Sequence, residues 1–253
     1  MDFWGKILCG MAVGVGAVVP GVSGGVLAAV LGVYEPIMAA LSGFFKDVKK
    51  NTLFLLPYII GGGVGFLVFS GIIGLFMEHA ERQMLFLFAG LVIGGFPSLA
   101  AEANRDGFKL RYMFAAAGAF FLMTAASPLF SFYIANPFLR YFAAGAAYSF
   151  GSVIPGISAS FILINMGVYR ELLVSIASPA MFIPFGAGFF AVTVMLIKAV
   201  DFLFRRYHAA AYYTVIGLLA SSIVTAMPCI SNPVADTAIL VSGVVLGFFA
   251  LSR

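Results

Sequence analysis

The stretch AVVPGVSGGVLAAVLGVYEP (residues 17–36) interrupts a helix within a long apolar run. Pro20 has no backbone amide to donate and its ring clashes with the preceding helical turn, while Gly21 admits backbone angles that other residues avoid. Away from water, each freed backbone group costs several kcal/mol unless protein or a water-filled cavity surrounds it. The stretch therefore predicts a broken helix that the rest of the chain must shelter.

The composition indicates a membrane protein. Of the 253 residues, 62% are hydrophobic and 9% are charged, whereas a soluble domain carries about 25% charged residues. The two cysteines, Cys9 and Cys229, lie in separate apolar runs, so we expect neither a disulfide framework nor a metal site. The lipid bilayer is the solvent that this composition fits, because several apolar runs are long enough to span it.

The apolar blocks define the expected helices. They fall at about residues 6–43, 53–77, 84–101, 112–134, 138–177, 180–204, 211–231 and 236–252. Most have the length of one membrane-spanning helix, although the block 236–252 is marginal. The blocks 6–43 and 138–177 are too long for one crossing, and each could form two full helices or a re-entrant hairpin. Either form returns the chain to the side from which it came, so the topology is the same.

The basic residues predict which side of the membrane each loop occupies. If the N-terminus lies inside, the inner segments hold Lys6, Lys46, Lys49, Lys50, Arg105, Lys109, Arg111, Arg205, Arg206 and Arg253. The outer segments then hold Arg82 and Arg140. Cytoplasmic loops are enriched in Lys and Arg. We therefore expect an all-α polytopic membrane protein, a single transmembrane domain over residues 1–253, with both termini inside.

A second stretch, SVIPGISASFILINMGVYRE (residues 152–171), repeats the first. Aligning Pro20 with Pro155 matches Pro-Gly-x-Ser and, further on, Gly-Val-Tyr in both stretches. Chance similarity between apolar segments explains scattered Val and Leu matches, but it does not explain this shared spacing. Once the offset between the two copies falls by eight residues, the Gly-Leu pair at 90–91 also aligns with that at 217–218.

This repetition predicts an inverted-repeat fold. We divide the chain into two repeats, residues 6–134 and 138–252. Three predicted single crossings separate the first long block from the second, so the second repeat starts on the opposite side of the membrane. Inverted repeats whose broken helices meet near the midplane are typical of secondary transporters. The sequence thus predicts a transporter-like fold with two broken or re-entrant helical hairpins.

Each break supplies groups that could bind an anion. A new helix can begin at Ser23 and at Ser158, because serine is a favoured N-cap and the first amides of a helix are unpaired and lie at the positive end of its dipole. Gly24 and Gly25 would let a ligand approach the backbone, and Ser160, which aligns with Gly25, adds a hydroxyl. The simpler alternative is that each Pro-Gly forms the tight turn of a hairpin and each serine only caps it.

Charged residues follow both motifs. Glu35 and Arg170 occupy the same repeat position with opposite charge, and Glu171 follows Arg170. A charge at the bilayer centre costs about 2.5–3.5 kcal/mol, so such groups usually face a cavity or a partner; alternatively, these residues lie at the membrane interface. The planar guanidinium of Arg170 suits phosphate, and Glu35 or Glu171 could carry a coupling proton. The sequence has no Walker-type phosphate loop, so we expect no nucleotide cofactor.

The two motifs resemble the paired signature of a known family. VVPGVSGG with LGVYE, and VIPGIS with MGVY, are similar to the signature of the bacterial polyprenyl-phosphate transporter family, and the similarity covers essentially the whole chain. The resemblance implies a flippase of the bacterial cytoplasmic membrane. Such a protein returns undecaprenyl phosphate from the outer to the inner leaflet, where this lipid carrier is reused for peptidoglycan and other envelope polymers. It also implies a transporter rather than an enzyme, for which we expect coupling to a proton or sodium gradient.

The resemblance further implies the substrate-binding residues. It carries over Pro20, Gly21, Ser23, Gly24, Gly25 and Glu35 from the first motif and Pro155, Gly156, Ser158, Ser160 and Tyr169 from the second. To this set the charge argument adds Arg170. The chain departs from the family signature at Ala17, Val26 and Ala159.

Two other functions stay open at this point. A transporter or channel for a small anion or cation would also use broken helices. A membrane phosphatase acting on the same lipid would need a nucleophile or general acid such as a well-placed histidine. His79 and His208 are predicted on opposite sides of the membrane, which argues against a shared catalytic site.

Overall fold

The computed structural model describes residues 1–18, 23–105, 107–126, 134–157, 159, 162–163, 166–168, 171 and 179–251, with the side chains of 18, 70–78, 126, 226 and 250–251 left out. Within these ranges the chain is helical and contains no strand. The helices are α1 (Phe3–Val18), α2 (Gly24–Val30), α3 (Tyr34–Ser42), α4 (Val48–Ala103), α5 (Arg111–Ala126), α6 (Pro137–Val153), α7 (Pro179–Arg206), α8 (His208–Ala226) and α9 (Pro233–Leu251). A 3-10 turn, Phe44–Lys46, precedes α4.

Four helices are long and apolar enough to cross a membrane. Helix α4 leaves helical geometry at Ala80 (φ −146°, ψ 37°) and therefore contributes two of them. The four are Val48–Phe69, His79–Ala103, Pro179–Arg206 and His208–Thr225. The chain is thus the polytopic helical protein that the composition predicts. The blocks predicted at 112–134 and 236–252 contain shorter apolar helices, Arg111–Ala125 and Pro233–Phe249.

The first long block forms one helix and a bent pair. After α1, the short helices α2 and α3 are bent by 113° relative to each other and could together make a fifth, broken span. The bend falls at Gly32, whose φ of 67° is accessible to glycine without a steric penalty. The sequence reasoning placed the break at Pro20 and Gly21, which lie outside the described residues, and it did not predict this second bend.

The bent pair lies in the core of the bundle. Val26 of α2 is fully buried, and Tyr34 at the start of α3 is 2% exposed. The Tyr34 ring packs on Phe204 of α7, with ring centroids 5.1 Å apart, and Phe204 packs on Tyr212 of α8 at 5.3 Å. Side chains of α7 and α8 therefore help to shelter the segment that follows the predicted break, as the cost of freed backbone groups requires.

Glycines bring α1 against the first part of α4, and α6 against α7. A methyl group added at Gly14 would lie 2.1 Å from the carbonyl oxygen of Gly62, and one added at Gly188 would lie 2.0 Å from that of Phe142. Small residues at helix interfaces let backbones approach closely, which is how helices pack without a hydrophobic driving force in lipid. In both pairs the two helices run in the same direction.

Glycines also allow close packing between helices of the two predicted repeats. A methyl group added at Gly90, in the second part of α4, would lie 2.2 Å from the carbonyl oxygen of Leu240 in α9. One added at Gly217 of α8 would lie 2.0 Å from the carbonyl oxygen of Ala116 in α5. The last helix of each predicted repeat therefore packs on a helix of the other repeat.

Candidate functional site

Two side chains that follow the first predicted break form hydrogen bonds with the end of α6. The Ser23 hydroxyl donates to the carbonyl oxygen of Gly151 at 3.3 Å, and the Tyr34 hydroxyl donates to that of Val153 at 2.5 Å. Both bonds are buried. The end of the first Pro-Gly-x-Ser motif and the segment after it therefore contact the residues just before the second motif.

Ser23 occupies the N-cap of α2, as predicted, but its hydroxyl does not cap the helix. Its backbone is extended (φ −102°, ψ 131°), and no side-chain capping bond forms. The hydroxyl points towards α6, where it donates to the carbonyl oxygen of Gly151 shortly before the second motif. Gly25 lies beside that motif as well, because a methyl group added there would sit 3.4 Å from Cα of Pro155. Gly24, by contrast, faces α1, where an added methyl would lie 2.8 Å from the carbonyl oxygen of Val13.

The second break begins at the end of α6. Pro155 and Gly156 follow α6 and are both buried. Gly156 adopts a φ of 94°, and a methyl group added there would lie 2.8 Å from Cβ of Leu218. Its carbonyl oxygen accepts a 2.6 Å hydrogen bond from Ser222 of α8. The sequence reasoning did not identify Ser222, because no spacing relates it to the motif.

Several predicted site residues lie outside the described residues. They are Pro20, Gly21, Ser158, Ser160, Tyr169 and Arg170. Their roles stay predictions.

Glu35 meets two residues that the sequence did not connect with it. It lies in the first turn of α3, and its Oε1 is 3.0 Å from Nε2 of His208 at the start of α8. Oε1 of Glu102, at the end of α4, is 3.3 Å from the same nitrogen. That nitrogen is shielded from solvent, and neither contact has hydrogen-bond geometry. Both are therefore close approaches rather than hydrogen bonds. The ligand atoms of all three residues lie within 4.8 Å of one another, a spacing at which they could hold one metal ion.

A cavity of about 610 Å³ opens beside Glu35 and His208. We call it the basic cavity, because its lining includes Arg105, Lys109, Arg111, Arg205 and Arg206. All five belong to segments that the charge pattern assigns to the inner side of the membrane. Of the predicted site residues, Glu35 is the one that lines this cavity.

Glu171, the other predicted coupling residue, is held by the start of α6. Its carboxylate accepts a 2.8 Å bond from the Arg140 guanidinium and a 3.1 Å bond from the Tyr141 hydroxyl. Arg140 also donates to the carbonyl oxygen of Gly167. The two glutamates are therefore in different surroundings: Glu171 is paired with an arginine, whereas Glu35 lies beside a histidine.

Comparison with known proteins places the chain among lipid-carrier transporters. The VCA0040-like family, described as undecaprenyl phosphate translocase-like, matches residues 13–237. A protein of Staphylococcus aureus (strain NCTC 8325 / PS 47) named polyprenyl-phosphate transporter is 27% identical over 252 residues, which cover 89% of this chain and 86% of that protein. No solved structure matches the chain.

Proposed function

Because the chain belongs to the undecaprenyl phosphate translocase-like family, we propose that it returns undecaprenyl phosphate from the outer to the inner leaflet of the bacterial cytoplasmic membrane. There the carrier is reused for peptidoglycan and other envelope polymers. The family match carries this proposal, since it spans both Pro-Gly-x-Ser motifs. The several apolar helices of this multi-pass membrane protein fit a lipid substrate, whose isoprenoid tail can stay in the bilayer.

The phosphate binds where the two breaks meet. In support, Ser23 reaches Gly151 and Gly25 lies beside Pro155. The contact brings together two backbone interruptions that each need polar surroundings. Ser158, Ser160, Tyr169 and Arg170 complete the site in this proposal.

The two repeats are related by inversion, so that alternating access follows from exchanging their roles. Matched local geometry supports this: Gly32 and Gly167, aligned in the repeat, have φ values of 67° and 66°. So do the reciprocal contacts of α4 with α9 and of α8 with α5.

The orientation has both termini inside, and an ion gradient drives transport. The gathering of five cations around the basic cavity supports the first point, because inner segments are the basic ones. Glu35 supports the second, because its carboxylate, that of Glu102 and the His208 ring lie close enough together to hold one cation. Glu171 is the weaker coupling candidate, since Arg140 already balances it.

Reconstitution tests the proposal. Proteoliposomes carrying fluorescent polyprenyl phosphate in both leaflets are treated with a membrane-impermeant quencher, and the protected fraction is followed over time. We expect the wild type to move the lipid between leaflets, Ser23→Ala and Arg170→Ala to slow it by about tenfold or more, and the matched variant Ser242→Ala to leave it unchanged. Ser242 donates to Ala238 on an exposed face of α9, so its loss controls for removing a helix hydroxyl.

Three outcomes would count against the proposal. If folded wild type moves no lipid with or without proton and sodium gradients, the lipid substrate is wrong. If it instead carries chloride or phosphate in a flux assay, the alternative of a small-ion transporter holds. If Ser23→Ala and Ser242→Ala behave alike, the phosphate does not bind at the breaks.

A further inference from the structure

The basic cavity lies where α7 ends and α8 begins, and its lining includes no described residue of the two Pro-Gly-x-Ser motifs. Its wall contains the end of α7, the start of α8 and the loop that joins α4 to α5. Of its cations, Arg205 is paired with Asp201 at 2.9 Å and Arg105 with Glu102 at 3.3 Å. These carboxylates hold the two guanidinium groups in place and neutralise part of their charge.

Two cations of the cavity have no carboxylate partner in the part of the chain that the structure describes. Lys109 and Arg206 are exposed, and neither has a carboxylate within 4 Å among the described residues. Arg111 adds a third positive charge, since it contacts only the Tyr112 ring and hydroxyl in the described part of the chain. A concave surface with this excess of positive charge attracts an anion, and a phosphate can accept several of these donors at once.

Exposed apolar and aromatic side chains belong to the lining of the cavity or are next to it in the sequence. Phe108 and Leu110, on either side of Lys109, are 60% and 65% exposed. Tyr207, which lines the cavity beside Arg206, is 55% exposed. Aromatic residues and basic residues together at the end of apolar helices are typical of the membrane–water interface. A headgroup in the cavity would thus have its tail against exposed apolar side chains.

The cavity is connected to the helix breaks through two consecutive residues. Glu35 lines the cavity, while the preceding residue, Tyr34, donates to Val153 at the second break. A change in the position of α3 would move both together. The cavity therefore has a physical link to the proposed transport site without being part of it.

From these observations we infer that the basic cavity is a second headgroup site, which binds the phosphate monoester of a membrane lipid at the end of the protein predicted to face the cytoplasm. The substrate class rests on the proposed function. In a transport cycle this site receives the headgroup after it leaves the breaks and releases it to the leaflet. Lys109 and Arg206 contact the phosphate, and Phe108 and Leu110 contact the first isoprene units.

Photo-crosslinking tests this site directly. The purified chain in phosphatidylcholine nanodiscs is irradiated with farnesyl phosphate that carries a diazirine next to the phosphate, and labelled peptides are identified by mass spectrometry. We expect label within residues 104–112 and 205–210. The double substitution Lys109→Ala with Arg206→Ala should lower labelling of these peptides by about tenfold or more, because each cation near the surface contributes to binding an anionic lipid. The matched control is Lys49→Ala with Lys50→Ala, which removes two exposed charges from the predicted inner side but not from the cavity.

Each outcome decides the inference. Loss of label in the cavity variant but not in the control supports it, as does an equivalent farnesol probe that fails to label these peptides. Equal loss in both variants would overturn it, because attraction would then come from the general surface charge. Competition by inorganic phosphate as strong as by unlabelled farnesyl phosphate would also overturn it, since the site would then take a soluble anion. Labelling does not depend on movement of the lipid between leaflets. The cavity can therefore fail this test while the protein still transports lipid, and the cavity can be labelled even if transport is absent.

Discussion

The contact between α6 and α7 provides a prediction whose size follows from a single distance. Gly188 of α7 faces the backbone of α6 so closely that an added methyl group would lie 2.0 Å from the carbonyl oxygen of Phe142. An ordinary carbon–oxygen contact is about 3.3 Å. In Gly188→Ala the helices must separate by about 1 Å, or rotate, to remove the overlap.

Separation of this kind has a known energetic range. Overpacking of a close interface destabilises a protein by about 1–3 kcal/mol. For a chain of this length each kcal/mol shifts the melting temperature by about 2–4 °C. We therefore expect Gly188→Ala to melt about 2–12 °C below the wild type.

The same helix offers a matched control. Gly186 is two residues away, and a methyl group added there meets nothing within 4 Å. Gly186→Ala should be neutral or stabilising by up to about 1 kcal/mol, because alanine favours helix more than glycine does. Both variants are purified in one detergent and heated in parallel, and the fraction that stays folded and unaggregated is measured by fluorescence.

The reasoning is refuted if the two variants melt at the same temperature, or if Gly188→Ala is the more stable. Either result would mean that α6 and α7 do not pack through Gly188 in the folded protein. A lower melting temperature for Gly188→Ala alone would support close packing as the means by which the helices associate.

Further predictions concern buried hydroxyls and one backbone angle. Tyr34→Phe should lower the free energy of unfolding by about 1–3 kcal/mol, because the carbonyl of Val153 loses its buried donor. Gly32→Ala should lower it by about 1–2 kcal/mol, because a side chain disfavours its φ of 67°. Ser149→Ala should have a smaller effect, about 0.6 kcal/mol and at most about 1.7, since its hydroxyl bonds the carbonyl of Phe189 between membrane helices. Melting temperatures in one detergent check all three.

Controls for these variants come from the same chain. Thr214→Ala and Gly63→Ala change a hydroxyl that bonds within its own helix and a glycine with no neighbour within 4 Å, so both should melt near the wild type. If Tyr34→Phe is no more destabilising than Thr214→Ala, the bond across the two breaks does not stabilise the fold. A Gly32→Ala variant as stable as Gly63→Ala would show that the chain does not bend at that residue.

Local sequence features predicted where helices begin, but they did not predict which distant residues those helices contact. The Pro-Gly-x-Ser spacing correctly placed the start of α2 at Ser23, because an N-cap is a local preference. In an N-cap the serine oxygen would accept from an amide of its own helix, whereas here the hydroxyl donates to the carbonyl oxygen of Gly151. Gly151 is far away in the chain, and no local pattern indicates that it lies within reach.

The surroundings of Glu35 show the same limit. Its repeat position and charge marked it as a candidate, and the structure places it beside a cavity. Its neighbours Glu102 and His208 belong to a helix end and a helix start whose sequences carry no shared signal. They come together because α3 begins, α4 ends and α8 begins at that side of the bundle.

What the sequence determined by itself is the class of protein and its apolar helices, while the break at each of its two Pro-Gly-x-Ser motifs stays a prediction. These follow from composition and from spacings of a few residues, where solvation and backbone sterics act locally. What only the tertiary structure decided is how the helices meet: the glycine contacts, the bonds from Ser23 and Tyr34 to α6, and the basic cavity. These depend on the directions in which distant helices leave their turns, and packing of the whole chain sets those directions.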